Sequence, residues 1–261
     1  MEHMNMTRLV GIATSKPKSK APRGFTVWQG LSALDNQPIA VIATLETNNR
    51  KTGDMVQVWI LRSDVNPVEA TKTGQDFSIC GTCPHRHHNK GACYVNVGQA
   101  PNSIYKAFKN GRYPDYDHKQ HSQYLKHRKV RLGAYGDPSA APYEVMRYLA
   151  HIGIGWTGYT HQAKHHNFDE RFFDICMVSA DSPKQAKRYQ DLGARTFRVA
   201  MVGDAMHDSE IECLSDSKGM TCLDCGLCNG NKREAESIVI AVHGSKASNF
   251  KTSTLIPLTE V

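Results

Sequence analysis

The sequence predicts an α/β protein with a parallel sheet, in the form of a TIM-like βα barrel, regular or irregular, that carries a cysteine-rich metal-binding knuckle. Two observations predict the sheet. From residue 130 onward, short apolar runs alternate with amphipathic runs at intervals of roughly 20–25 residues, which is typical of right-handed βα units. Polar side chains directly follow several of these runs, as they do where barrel strands end. A doubly wound open sheet is the alternative, although no G-x-G-x-x-G or Walker A pattern follows any run.

The first part of the chain is less regular. Residues 1–24 are rich in Lys, Pro and Ser, which predicts a flexible arm. Residues 25–261 are predicted to form a single domain with cysteine-rich insertions at 80–93 and 213–228. Before the regular part, strands are predicted over residues 25–28, 39–44 and 56–61, and a helix is predicted over residues 102–109.

The regular part supplies the predicted parallel strands. Its apolar runs are rich in Val, Ile and aromatic residues, and Gly-Asp-Pro or Asp-Ser-Pro turns precede its two predicted helices. Strands are predicted over residues 130–135, 155–160, 173–178, 195–202 and 237–242, with helices over 141–151 and 183–192.

The charge of the chain is basic and unevenly spread. The net charge is +7 with thirteen histidines besides, and residues 118–129 hold seven basic or imidazole side chains in twelve positions. With Tyr116 and Tyr124 close by, this run is either a solvated helix face or a surface that follows a phosphate backbone. The predicted nucleic-acid-binding residues are Lys119, Lys126, Arg128 and Lys129.

No stretch of the sequence is apolar over the eighteen or so residues that a membrane span needs. The N-terminus also lacks the apolar region of a secretory signal. We therefore expect a soluble protein with no membrane partner, located in the cytoplasm, which is the host cytoplasm if a phage encodes it.

Six of the eight cysteines fall into two groups. The first is Cys80-Gly-Thr-Cys83 with Cys93 ten residues further on, and the second is the doubled C-x-x-C of residues 222–228. Thiols at this spacing can surround one metal ion or cluster, because a tight turn points both sulfurs inward. Structural disulfides need an oxidising compartment, and buried apolar cysteines such as Cys176 do not follow this spacing.

The sequence leaves the metal open between zinc and a [4Fe–4S] cluster, and the number of centres open between one and two. All-thiolate sets suit both, and His85, His87 and His88 could supply nitrogen ligands to zinc. A fourth ligand for the second group could come from Cys213, His243 or the first group. The radical-SAM spacing C-x-x-x-C-x-x-C does not occur. The predicted metal ligands are Cys80, Cys83, Cys93, Cys222, Cys225, Cys228 and His243.

Titratable residues collect at the predicted strand ends, where barrel enzymes place their reactive groups. Asp137 is predicted as nucleophile or general base, because Gly136 and Pro138 preset a tight turn around it. Asp181 or Asp204 would take the complementary acid–base role. Aspartates after strands also commonly cap the next helix, which is the alternative interpretation. The predicted catalytic residues are Asp137, Tyr159, His161, Asp181 and Asp204.

Four short motifs, spread over residues 56–244, resemble those of a family of little-characterised bacteriophage proteins. They are Cys83-Pro84 with Cys93-Tyr94, the strand end Arg131-Leu-Gly-Ala-Tyr-Gly-Asp137, the strand end Tyr159-Thr160, and Cys222-Leu-Asp-Cys225-Gly-Leu-Cys228. The architecture also resembles a compact form of the tRNA-guanine transglycosylases and their phage DNA-modifying paralogues. That resemblance implies a TIM barrel, a zinc knuckle and aspartate chemistry that exchanges guanine for a 7-deazaguanine base. The transglycosylase zinc pattern is C-x-C-x-x-C with a distant His, whereas this chain has C-x-x-C-x-x-C and His243.

Three functions are consistent with these features. The first is a pentosyltransferase that exchanges guanine for a 7-deazaguanine base in nucleic acid, with DNA ranked ahead of RNA. The second is a redox or radical enzyme of the barrel class that uses an Fe–S cluster. The third is a non-catalytic nucleic-acid-binding protein that is held together by metal.

Overall fold

The computed structural model describes residues 21–230 and 234–250, so most of the predicted N-terminal arm lies outside the described residues. The strands are β1 (Gly24–Leu31), β2 (Pro38–Thr44), β3 (Val56–Arg62), β4 (Lys129–Tyr135), β5 (Gly155–Thr160), β6 (Met177–Ala180), β7 (Thr196–Ala200), β8 (Glu210–Glu212) and β9 (Ser237–Ala241). The helices are α1 (Pro67–Thr73), α2 (Phe77–Cys80), α3 (Ala100–Lys109), α4 (His118–His121), α5 (Tyr143–Ile152), α6 (Pro183–Asp191), α7 (Leu214–Ser217) and α8 (Cys222–Cys225). Within the described ranges, no helix is long and apolar enough to cross a membrane.

The strands of the described residues form one sheet in the order β1-β2-β3-β4-β5-β6-β7-β9-β8. The first three pair antiparallel, and every pairing from β3 onward is parallel. Consecutive strands are neighbours from β1 to β7, as short connections favour, and β9 then lies between β7 and β8. The sheet is open, with β1 and β8 at its edges. The α/β class is therefore confirmed, whereas a closed barrel is not.

Two of the strands differ from the prediction. Residues 170–174 form a 3₁₀ turn that Asp169 caps by accepting from the Arg171 amide (3.1 Å), so β6 starts only at Met177. The short strand β8 was not predicted, because its sequence Glu-Ile-Glu carries no strand pattern. Glu210 nevertheless lies buried in it, paired with an arginine of β7.

The two faces of the parallel strands are covered differently. On one face, Val178 and Ala180 of β6 pack against Ala186 and Tyr189 of α6. Successive residues of a strand point to opposite faces, so Tyr159 and Ser179 lie on the other one. That other face forms the floor of a cavity.

Candidate metal centre

A cavity of about 440 Å³ opens on the face of the parallel strands opposite α6. This volume lies in the roughly 300–1,000 Å³ range of small-molecule sites. Alternate residues of five adjacent strands line it, among them Arg131, Thr157, Tyr159, Ser179, Val199 and Ile240. Seven cysteines also lie on its wall, the six of the two groups and Cys213: Cys80, Cys83, Cys93, Cys213, Cys222, Cys225 and Cys228. The fold therefore brings the two cysteine-rich segments to one space.

The first cysteine group is a tight loop after α2. The Cys83 amide donates to the Cys80 carbonyl (3.1 Å), and the Cys93 amide donates to the carbonyl of His85 (2.9 Å). Gly81 adopts φ +50°, which side-chain-bearing residues rarely do, so the turn between the first two thiols depends on glycine. The loop folds back on itself and places all three thiols on the same wall.

Gln162 fastens this loop to the end of β5. Its side chain is fully buried, its Nε2 donates to the Cys80 carbonyl (2.8 Å), and its Oε1 accepts from the Thr82 amide (3.0 Å) and hydroxyl (3.2 Å). Sequence reasoning missed Gln162, because its partners lie about eighty residues away and a lone glutamine after a strand carries no motif.

The second group is built around the one-turn helix α8. The Thr221 hydroxyl caps its start by accepting from the Asp224 amide (3.2 Å), and Gly226 ends it at φ +65°. The carbonyl of Cys228 then accepts from the Gly158 amide (2.9 Å), which ties the last thiol to β5. The turn of the C-x-x-C-x-x-C motif is thus held by its own caps and by the sheet.

A fourth thiol joins this group from β8. The Cys213 amide donates to the Val239 carbonyl (2.7 Å), immediately after β8 ends. Glu210 at the start of β8 accepts from Arg198 through Nε (2.9 Å) and Nη2 (2.7 Å), and both side chains are buried. Cys213, one of the three sources considered for a fourth ligand, therefore follows a strand that is tied to β7 by a buried ion pair, and its own amide is bound to β9.

Burial makes five of these thiols hard to ionise in the absence of a cation. Burial raises the pKa of Cys93 to about 11 and that of Cys228 to about 12. The pKa of Cys80 lies well above its usual 9.0, first because of burial and next because of the neighbouring thiol. Burial also raises the pKa of Cys213 and Cys222, and other cysteines of the group add to the shift in Cys222. Several thiolates would coexist in either group only around bound positive charge.

The sulfurs within each cysteine group are spread apart. Among the described residues, neither cysteine group contains three sulfurs that all lie within 4.8 Å of one another. A tetrahedral zinc with Zn–S bonds near 2.3 Å would require sulfurs about 3.8 Å apart. A cluster distributes its thiolates over separate iron atoms and accepts a wider set. The sulfurs of either group would have to draw closer together to share a single zinc ion.

Asp137 lies on the cavity wall with both carboxylate oxygens engaged. Oδ1 accepts from the amide (3.0 Å) and hydroxyl (2.8 Å) of Ser139. Oδ2 accepts from the His161 amide (2.8 Å) and, at 3.5 Å, from Gln162. These contacts join the ends of β4 and β5. They are the contacts of a capping aspartate, which was the alternative interpretation of Asp137.

His85, His161 and Asp181 each bring one ligand atom within 4.8 Å of the other two. Oδ1 of Asp181 lies 2.9 Å from His85 Nε2 and 3.4 Å from His161 Nε2. Burial acts to lower the pKa of His161, but Cys83 and Asp181 outweigh it and raise that pKa well above its usual value. Burial acts to raise the pKa of Asp181, but its hydrogen bonds to the two histidines lower it. These shifts favour an ion pair between the His161 imidazolium and the Asp181 carboxylate beside the first cysteine group.

Tyr159 and His243 lie at other points of the wall. The Tyr159 hydroxyl hydrogen-bonds to the Cys228 thiol, so this tyrosine belongs to the surroundings of the second group. His243 donates from Nδ1 to the carbonyl of Ala241 (3.0 Å).

The five predicted catalytic residues do not all reach the cavity. Asp137, Tyr159 and His161 line it, and Asp181 contacts one of them from behind. Asp204 is exposed, accepts from the Met201 amide (2.9 Å) and lies outside the lining.

The predicted nucleic-acid-binding residues also divide. Lys119 and Lys126 are exposed. Arg128 instead donates to the carbonyl of Leu45 (2.6 Å) and to the Asp54 carboxylate (2.7 Å). Lys129 donates to the Leu223 carbonyl (2.6 Å) inside α8. Two of the four residues therefore hold the protein's own loops.

Comparison of the chain with protein-family models, with curated proteins and with solved structures finds no significant match.

Proposed function

We propose that this protein is an iron–sulfur enzyme that carries out redox chemistry on a small substrate held in the cavity between its two cysteine groups. The observation that carries this proposal is that seven thiols, in sets of three and four, line a single cavity. A purely structural metal site would not need to face a cavity of small-molecule size.

The two groups would hold different centres. The second group offers four thiolates, a complete set for one [4Fe–4S] cluster: Cys213, Cys222, Cys225 and Cys228. The first offers three, Cys80, Cys83 and Cys93, which leaves one coordination position facing the cavity. Such clusters supply one-electron transfer, with the electrons coming from a one-electron carrier protein. Because alternate residues of five adjacent strands line the cavity, we also interpret the open sheet as an incomplete barrel.

The chain's own residues would position the substrate and supply a proton. The His161 ring donates from Nε2 to Asp181, and the raised pKa of His161 keeps Nδ1 protonated as well. An imidazolium beside the first cysteine group suits a general acid that protonates a reduced substrate. The apolar parts of the lining exclude water from this step.

Exchange of guanine for a 7-deazaguanine base in DNA is the second candidate. It is favoured by the position of Asp137 and Tyr159 on the wall of a cavity large enough for a purine. We rank it second because the Asp137 carboxylate accepts hydrogen bonds from the chain on both oxygens, which weakens a nucleophile. A metal-stapled DNA-binding protein without catalysis is the third candidate.

Spectroscopy of anaerobically purified protein tests the proposal. We expect a brown protein that gives electron paramagnetic resonance signals of [4Fe–4S] clusters after reduction with dithionite. Cys80→Ser and Cys228→Ser should each remove one set of signals. Cys176→Ser is the matched control, because Cys176 is buried in the hydrophobic core away from the cavity. A colourless, zinc-containing protein that binds DNA and loses that binding in Cys80→Ser or Cys228→Ser would contradict the proposal and support the third candidate.

A further inference from the structure

Arg131 of β4 places a positive charge in the cavity without a counter-ion. Its Nη2 donates to the hydroxyl of Tyr94, and it forms no ion pair with any described residue. Its Nε is buried and has no hydrogen-bond partner among the described residues. A guanidinium remains protonated in proteins, so the charge is permanent.

Leaving such a charge unpaired is unfavourable, because burial removes water without replacing its hydrogen bonds. Asp137, whose carboxylate lines the cavity, is committed to Ser139 and His161. Cys222 influences Arg131 electrostatically but makes no hydrogen bond to it. The Nε–H group of Arg131 is therefore free to donate a hydrogen bond to an acceptor on a bound molecule.

A second unpartnered donor lines the same cavity. The hydroxyl of Tyr135 is buried and, among the described residues, has no hydrogen-bond partner. Burial raises the pKa of Tyr135 well above its usual value, so the hydroxyl is neutral and can donate. Tyr135 lies near Cys80 and Cys93, whereas Arg131 lies near Cys222. The two donors thus flank the space between the cysteine groups.

We propose that the cavity binds a small substrate through a carboxylate or phosphate on Arg131, with a polar group at its other end on Tyr135 beside the first cysteine group. This inference rests on the proposed function in taking the cavity as the place where substrate binds. A guanidinium forms strong charge-assisted hydrogen bonds to either oxyanion. Four steps along the strand place the backbone positions of Arg131 and Tyr135 about 13 Å apart, which sets the approximate length of the substrate.

Calorimetric titration of the anaerobically purified protein tests this assignment. Inorganic phosphate and succinate are the probes, and binding of one but not the other identifies the oxyanion. Arg131→Met keeps the length of the side chain and removes its charge, so binding should weaken at least about tenfold. Tyr94→Phe keeps the charge of Arg131 but removes the hydroxyl that its guanidinium binds, so we expect a smaller loss of anion affinity than in Arg131→Met. Arg147→Met removes an exposed arginine of α5 and should bind as wild type does.

Three outcomes would overturn the inference: neither anion binds, Arg131→Met binds as tightly as wild type, or Arg131→Met loses metal. The last result would mean that Arg131 only balances the charge of the thiolates. Iron content separates this inference from the proposed function. A protein without iron that still binds an anion through Arg131 would reject the cluster and keep the anion site.

Discussion

Replacing Glu210 by Gln is expected to destabilise the protein strongly and to loosen the second cysteine group. Glu210 Oε1 accepts from Arg198 Nε (2.9 Å), and Oε2 accepts from Arg198 Nη2 (2.7 Å) and the His207 amide (3.0 Å). Glutamine would turn an NH₂ group toward one of these donors. The buried Arg198 guanidinium would keep its hydrogen bond to the carbonyl of Ala205, but it would have no negatively charged partner.

The expected loss follows from burial. The Arg198 side chain is 1% exposed and that of Glu210 is 0% exposed, so solvent cannot screen the charge that remains. Removing one partner of a buried pair costs about 3–5 kcal/mol of unfolding free energy. In a domain of this size that corresponds to a fall in Tm of roughly 10 °C.

Urea denaturation of wild type and Glu210→Gln measures this loss. Asp191→Asn is the matched control, because it breaks an exposed helical pair with Lys187 and should cost about 0.5 kcal/mol or less. A double variant with Arg198→Met should recover part of the stability, since it removes the unpaired charge.

The effect should depend on pH with a defined sign. Burial acts to raise the pKa of Glu210, but the hydrogen bonds from Arg198 lower it below its usual 4.5. Stability from a lowered carboxyl pKa is present above the unfolded value and is lost as the pH falls through the folded value. The difference between wild type and Glu210→Gln should therefore shrink below about pH 4.5. A Glu210→Gln protein no less stable than Asp191→Asn at pH 7 would refute this reasoning.

Three further outcomes are expected. Gln162→Met should lower the unfolding free energy by about 2–4 kcal/mol, because the buried backbone partners of Gln162 lose their hydrogen bonds. Metal analysis of the same variant should show that metal is lost from the first cysteine group alone. Asp137→Asn should lower Tm by several degrees, because an amide cannot accept from donors on both sides, and an unchanged thermal scan would count against the capping role. Iron analysis should show that Cys213→Ser releases iron from the second group as completely as Cys228→Ser, whereas His243→Ala retains that iron. Loss of iron in His243→Ala and retention in Cys213→Ser would make His243 the fourth ligand.

The parts of the fold that follow from local pattern could be predicted from the sequence. The alternating apolar runs predict the parallel strands, because the pattern depends on neighbouring residues in the chain. Sheet closure depends instead on how distant strands meet. The antiparallel strands β1 to β3 occupy one side of the sheet and leave it open, which no local pattern indicates.

The candidate site also contains residues that a local sequence pattern predicts and residues that it does not. Cysteine spacing is a local signal, and it pointed to residues that line the cavity. Gln162 and Arg131 act through contacts with residues far away in the sequence, and neither belongs to a chemical motif. Asp204 was selected because it follows a predicted strand, yet it lies in an exposed turn. Position at a strand end places a residue at one edge of the sheet but does not fix its distance to the cavity.

Iron, zinc and acid-labile sulfide measured per chain in anaerobically purified protein test the central claim most directly. Two [4Fe–4S] clusters predict about eight iron atoms and eight sulfides per chain, with half lost in Cys80→Ser and the other half in Cys228→Ser. Zinc in place of iron, or full metal retention in both variants, would contradict the assignment of two cluster sites to this cavity.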